Sequence, residues 1–221
     1  MTQSETQWKS PLATLPGAVA LEDVEGDVAF GVTAHYGDPS GEQWALEAGR
    51  AITDRPDLAV VEVSGPDRLT WLTSISSQVL TGIAPGESRE LLIMNPQGHI
   101  EHACGAIDDG EILYLITEAS DAQALADWLN SMRFALRVEM TISQRWWLVG
   151  SIGDSGASQC DQVALTWNDP WPGVVDGGAA YYQGKHPGES LAFHIHLVPR
   201  EQAREFWRAW SEAAPKRRAA G

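Results

Sequence analysis

The strongest constraint in this 221-residue chain is a pair of turn signals set between three short apolar segments. Asn95-Pro96-Gln97-Gly98 separates segment 87–94 from segment 99–107, and Asp108-Asp109-Gly110 separates the latter from segment 112–117. Glycine accepts positive φ, proline presets its own φ, and Asn or Asp side chains bond the backbone two residues on, so each joint reverses the chain within a few residues. Reversals that tight make sequence neighbours antiparallel partners, and the three segments are expected to form a meander.

Such a sheet needs cover on at least one face, and helical periodicity supplies it on both sides of the meander. Segment 58–63 is a β-branched strand, Ser64-Gly65-Pro66-Asp67 turns the chain, and Leu69, Leu72, Ile75 and Val79 follow at helical spacing. Ser120 and Gln123 form a capping-box pattern ahead of Leu125, Trp128, Leu129 and Met132, which share one helical face. Segments 137–142 and 146–149 return to strand character. The fold class is therefore α+β, with antiparallel sheets carrying helices on one face.

Four regions are expected. Residues 1–57, with Pro11, Pro16, Pro39 and Pro56, form an extended lead-in packed on the fold, and 58–150 form the α+β lobe. After a Gly, Ser and Asp-rich loop, 151–214 form a second, smaller lobe with strands at 163–167, 173–175 and 191–198. A helix follows from about residue 199 to 213, with Phe206, Trp207 and Trp210 on one stripe. Residues 215–221 are a short basic tail that is expected to fray.

Composition excludes several partners. Thirty acidic against fifteen basic residues give a formal charge of -15, which disfavours nucleic acid and anionic membrane surfaces. No run of 18 apolar residues reads as a membrane span. Cys104 and Cys160 lie in unrelated contexts, and two free thiols in the cytoplasm are the simplest account.

Three pieces of the lobe carry a family resemblance: the strand Val60-Val61-Glu62-Val63-Ser64-Gly65, the helix Asp67-Arg68-Leu69-Thr70-Trp71-Leu72 with Ser77-Gln78-Val79-Leu80 behind it, and the strand-turn-strand from Leu91 through Asn95-Pro96-Gln97-Gly98 to Ile100. In order and spacing they resemble the YgfZ family of folate-binding proteins, relatives of the glycine-cleavage T-protein, an aminomethyltransferase. The resemblance implies α+β lobes arranged in a ring around a channel for tetrahydrofolate. For the YgfZ branch it also implies a role in iron–sulfur cluster assembly or repair, with effects on tRNA modification and iron–sulfur proteins or their assembly machinery as partners. For the T-protein branch it implies one-carbon transfer.

Two departures matter. His102 stands where the T-protein has the aspartate its chemistry needs, and an imidazole cannot supply a carboxylate's fixed negative charge beside a developing cation. No catalytic residue is therefore assigned, and transfer is not expected. The YgfZ lysine-glycine-cysteine-tyrosine motif, whose thiol would be the reactive one, is absent from these residues. A fragment, a shortened member, or a member that has lost the cluster role would each account for that.

The resemblance also supplies site expectations. Tyr114 and Ile116, two apart on a strand and so on one face, match folate-contacting positions, and Leu91 and Met94 would wall the pterin. His102 lies beside them. Lys185, in Tyr182-Gln183-Gly184-Lys185, replaces an acid that holds the pterin, or else meets the anionic glutamate tail. The bland reading of each apolar strand residue is plain core. No metal is expected: alternation points His102 and Cys104 one way and His99 the other, and His194 with His196 lack a third ligand. Ten tryptophans, among them Trp146, Trp147, Trp167 and Trp171, leave room for an exposed aromatic patch. The competing readings are a folate-dependent aminomethyltransferase, and a scaffold that keeps the fold without the ligand.

Overall fold

The structure, a computed structural model, describes residues 8–21, 31–173 and 182–221. Its first elements are a two-stranded ribbon of β1 (Val19–Ala20) and β2 (Thr33–His35), helix α1 (Pro39–Glu47) and strand β3 (Ala51–Asp54). In α1, Pro39 takes the first helical position and the Asp38 carboxylate accepts the Gly41 N–H, a side-chain cap on an otherwise weakly patterned helix.

Next come β4 (Leu58–Ser64), α2 (Arg68–Ile75), β5 (Ser88–Met94), β6 (Ile100–Asp108), β7 (Ile112–Glu118), α3 (Ala122–Met132) and β8 (Glu139–Ser143). The expected meander is present: β5, β6 and β7 are consecutive antiparallel neighbours in a five-stranded sheet of order β5-β6-β7-β4-β8. At the first turn Gly98 takes φ +83°, and the Asn95 side chain accepts the N–H groups of Gln97 and His99. At the second, Asp109 Oδ1 accepts Glu111 and Ile112 N–H, which locks the reversal.

Helix α2 ends at Ile75, a turn before Val79, because Thr73 Oγ1 accepts the N–H groups of Leu80 and Thr81 and folds the following chain back on the helix. Val79 is left exposed. The Ser120–Gln123 capping box does not form either. Ser120 Oγ turns to Glu118, Gln123 bonds Asp127, and Asp121 occupies the cap position while its carboxylate points to His102.

The remaining elements are β9 (Trp146–Ile152), β10 (Leu165–Asn168), β11 (Phe193–Pro199), α4 (Ala203–Glu212) and β12 (Arg218–Ala220). They build a second five-stranded sheet, β10-β11-β9-β3-β12, in which the β3–β12 pair is parallel. This sheet cuts across the expected regions. Strand β3 comes from within 1–57, and β9 begins within 58–150. Residues 218–220 do not fray: Ala219 and Ala220 are buried and hydrogen-bonded beside β3. The strand expected at 173–175 falls largely outside the described residues.

Alternation sorts the core into layers. Val61, Val63, Leu113 and Leu115 face α2 and α3 on one side of the first sheet. The opposite face presents Val60, Tyr114 and Ile116 to Trp146, Leu148, Ile195 and Leu197 of the second sheet. Beyond the second sheet, Trp147, Val149 and Val198 meet Phe206 and Trp210 of α4 together with Leu12. The order is helix, sheet, sheet, helix. Each fully buried large side chain contributes about 1.5–3 kcal/mol relative to exposure, and the Tyr114–Trp146 ring pair, edge to face at 5.6 Å, adds to the inter-sheet layer.

Candidate functional site

Strands β6 and β7 part company half-way along the first sheet. Their ladder runs from Asp108↔Leu113 to Gly105↔Ile116 and stops. Beyond that point β6 stays paired with β5 as far as Ile100, while β7 stays paired with β4 as far as Glu118. A cleft of about 400 Å3 opens between them, lined by Ile100, Glu101, Ala103 and, across from these, Thr117, Glu118, Ser120 and Asp121. Thr117 Oγ1 donates to the Ala103 carbonyl at 3.2 Å, replacing a ladder bond that the parting removes.

Asp121 is the centre of this site. Its two carboxylate oxygens lie 3.0 and 2.9 Å from His102 Nδ1, and Thr117 Oγ1 is 3.4 Å from one of them. His102 is itself buried on the helix side of β6, with the edge of Trp128 at 6.2 Å between ring centroids. Cys104, two residues on, shares that face. Burial first, and then the negative charge of Asp121, push its thiol up to about 12, so it is no thiolate nucleophile at neutral pH. The cleft offers oxygen acceptors, from carboxylates and a hydroxyl, beside the apolar wall of Ile100. Chemically it suits a ligand edge rich in N–H donors.

The residues expected to line one folate channel do not come together. Leu91 is fully buried on the helix side of β5, opposite Cys104. Met94 lies past an irregularity in the β5–β6 register and is 44% exposed. Tyr114 and Ile116 do share a face, as alternation requires, but it is the inter-sheet face, filled by the second sheet. The Tyr114 hydroxyl donates to Asp109 at 2.7 Å, and burial with that bond holds the phenol well above its ordinary pKa. Lys185 sits in a loop and is not part of the cleft lining, with its side chain 79% exposed, 4.0 Å from Glu189. Of the expected residues, His102 alone reaches the cleft's polar cluster.

Sequence reasoning missed Asp121, Thr117, Glu118 and Glu101. Only Asp121 leaves a trace in the sequence, an acid at the start of a periodic helix, where a carboxylate also suits the helix dipole. The histidine pair resolves as structure: His196 is buried with Nε2 bonded to Ser151 and Nδ1 to Thr166, and burial pushes its pKa down to about 3. His194 bonds Asn168. Among the described residues, no group of three or more His, Cys, Asp or Glu could hold a metal ion, and no helix is long and apolar enough to cross a membrane. Trp146 and Trp147 are core rather than surface, Trp167 is partly buried, and Trp171 is the exposed member of that set.

No protein-family model matches the chain, and no curated protein sequence matches it. Among solved structures, glycine cleavage system aminomethyltransferase T from Bartonella henselae superposes on 93% of this chain with a TM-score of 0.65. The fold is T-protein-like. Identity over the T-protein match is 17%, and the chain spans 56% of that protein's length. The regulatory subunit of aspartate kinase from Thermus flavus overlaps 74% of this chain and 95% of its own at 13% identity, but with a TM-score of only 0.34. The T-protein-like assignment thus rests on the shape of the two sheets and their helices, consistent with the α+β reading.

Proposed function

We propose that this T-protein-like chain binds a reduced folate, tetrahydrofolate, without performing one-carbon transfer, and that it acts in the YgfZ manner. In that role it serves iron–sulfur proteins or their assembly machinery, with tRNA modification as a downstream process. The observation that carries the reading is the cleft between β6 and β7, where Asp121, Glu118 and Glu101 line one opening of about 400 Å3 within a T-protein-like fold. A reduced pterin presents an amino group and ring N–H donors along one edge, and carboxylates are their natural partners. His102 stands where the resemblance puts an acid, and Asp121 brings a carboxylate against it. The absence of transfer rests on the residue at that position, since an imidazole does not itself supply a carboxylate's fixed negative charge.

The test is a titration of the intact chain with tetrahydrofolate, read by tryptophan fluorescence, for which Trp128 stands near the cleft, and by calorimetry. Saturable quenching that weakens about tenfold in Asp121→Asn is expected, from the loss of one charge-assisted contact. No quenching and no heat at near-millimolar ligand sinks the folate claim. The cellular role is tested separately: iron–sulfur enzyme activity should fall in cells lacking the chain and return with the wild type but not with Asp121→Asn.

A second reading, a scaffold without ligand, is favoured by one specific observation. Tyr114 and Ile116, which should face folate, are packed against Trp146, Leu148 and Ile195 instead. A folate-indifferent protein that still restores iron–sulfur enzyme activity would decide for it.

A further inference from the structure

A second cleft runs against the charge of the whole molecule. It measures about 390 Å3 and lies where α1 meets the β3–β12 edge of the second sheet, lined by Gly41, Ala45, Arg50, Lys216, Arg217 and Arg218. Four basic residues contribute to its lining in a chain of formal charge -15, and two small residues of α1, Gly41 and Ala45, stand among them. We propose that this cleft is a binding site for a compact polyvalent oxyanion, a phosphate or diphosphate group carried by a small molecule.

The four cations are held in different ways. Arg217 is fixed: its guanidinium stacks on the Trp210 ring at 4.9 Å and donates to the carbonyls of Trp210 and Ser155 at 2.8 and 2.9 Å. Those contacts turn its guanidinium toward α4, on the face of the sheet opposite α1, so Arg217 borders the cleft without aiming its charge into it. Arg218 bonds Asp38 at 2.9 Å, one acid against one base. Glu42, on α1 as well, is buried and already accepts the backbone N–H groups of Tyr36, Asp38 and Gly221. Arg50 and Lys216 are exposed, and among the described residues their side chains make no hydrogen bond or ion pair.

Lys216 adds a second, independent sign. Its φ is +65°, a left-handed conformation that costs a lysine about 1 kcal/mol and glycine almost nothing. A basic side chain therefore stands at a position where backbone preference asks for glycine, directly before the two arginines. Guanidinium groups match phosphate oxygens two at a time, and a lysine adds a mobile point charge. The acidic remainder of the surface repels a long polyanion such as nucleic acid, whereas a single phosphate-bearing group fits a cleft of this volume. The site lies on the second sheet, apart from the β6–β7 cleft, and does not depend on the folate reading.

Calorimetric titration of the full chain with inorganic pyrophosphate, with citrate as the carboxylate arm, tests the proposal at low ionic strength. Saturable binding of pyrophosphate, tighter than that of citrate and weakened steeply by added salt, is expected. Lys216→Gly and Arg50→Gln should each weaken it about tenfold, while Lys185→Gln, which removes an exposed lysine elsewhere, should leave it unchanged. Lys216→Gly also relieves the left-handed strain, so its melting temperature should hold or rise, which separates lost binding from lost folding. No saturable heat with pyrophosphate overturns the site; so do affinities that survive both variants, or that fall equally in Lys185→Gln. Citrate binding tighter than pyrophosphate overturns the phosphate assignment.

Discussion

Replacing Arg68 by alanine should be among the most damaging single changes in the first sheet. Arg68 opens α2 and reaches across to Asp108 at the end of β6, with Nε to Oδ2 at 2.8 Å and a terminal nitrogen to Oδ1 at 2.9 Å. The arginine side chain is 10% exposed and the aspartate 2%. The pair thus ties the first helix of the lobe to the turn that closes the meander, and the turn in turn relies on Asp108, which accepts Gly110 N–H at 2.7 Å. Truncating the arginine deletes two charge-assisted hydrogen bonds, each worth about 1.5–3 kcal/mol. It also leaves a carboxylate buried with a single backbone donor. Breaking a buried pair in this way costs about 3–5 kcal/mol. For a chain of this size that corresponds to a fall of roughly 6–20 °C in melting temperature.

The assay is urea unfolding followed by tryptophan fluorescence and by circular dichroism, with the cycle Arg68→Ala, Asp108→Asn and the double variant. The double variant should be less destabilised than the two single losses combined, because the neutral amide that Asp108→Asn introduces needs no counter-charge. A loss below about 1 kcal/mol for Arg68→Ala, or strict additivity in the cycle, would refute the view that this pair is buried and coupled.

Other contacts set further outcomes. Gly105→Ala should destabilise by about 1–3 kcal/mol, because its new Cβ would stand 2.9 Å from the Trp167 indole, which holds β10 to the first sheet through a 2.8 Å bond to Arg89 O. Gly98→Ala, where nothing lies within 4 Å, should cost only its positive-φ strain of about 1 kcal/mol, and equal losses in urea melts would contradict this. Asp54, buried between Ser10 and Trp147, has its pKa raised by desolvation. The folded state therefore holds this proton more tightly than the unfolded one, so its contribution is present below the unfolded pKa of about 3.9 and is lost as pH rises through the folded value. Stability of Asp54→Asn relative to wild type should accordingly improve with rising pH in that window, and a flat or opposite trend in pH-resolved melts would rule this out. A thiol reagent at neutral pH should label Cys160, which is partly buried, well before Cys104, which is sealed in the core and should react only on unfolding; equal rates would contradict that burial.

The parts of the fold readable from sequence are those held by local chemistry. The Asn95 and Asp109 turns fix the meander with bonds spanning two to four residues, and the Leu125–Leu129 spacing marks α3. Strand β3 is hidden because four residues, Ala51–Asp54, show no alternation long enough to detect, and its partners lie at 149–151 and 218–220. Helix α1 is hidden for a related reason: its buried positions, Glu42 and Ala45, include a carboxylate whose partners are backbone N–H groups. At the candidate site, His102 draws notice through resemblance. Its partner Asp121 stands nineteen residues away in sequence, and nothing in either residue type announces the contact. A matter of faces separates the residues expected to line one channel. Alternation correctly puts Tyr114 and Ile116 together, but it does not say which layer will cover them.

The parallel pairing of β3 with β12 also orders events in time. All five strands of the first sheet lie between residues 58 and 143, so that sheet can close as soon as this stretch has left the ribosome. The second sheet needs a strand that appears early, at 51–54, and one that appears much later, at 218–220. At ordinary elongation rates the interval between residues 143 and 220 is roughly 4–15 s. Throughout it, Val60, Tyr114 and Ile116 have no complete sheet to cover them, and the nascent chain carries an open apolar face that a chaperone, or a second nascent chain, can reach.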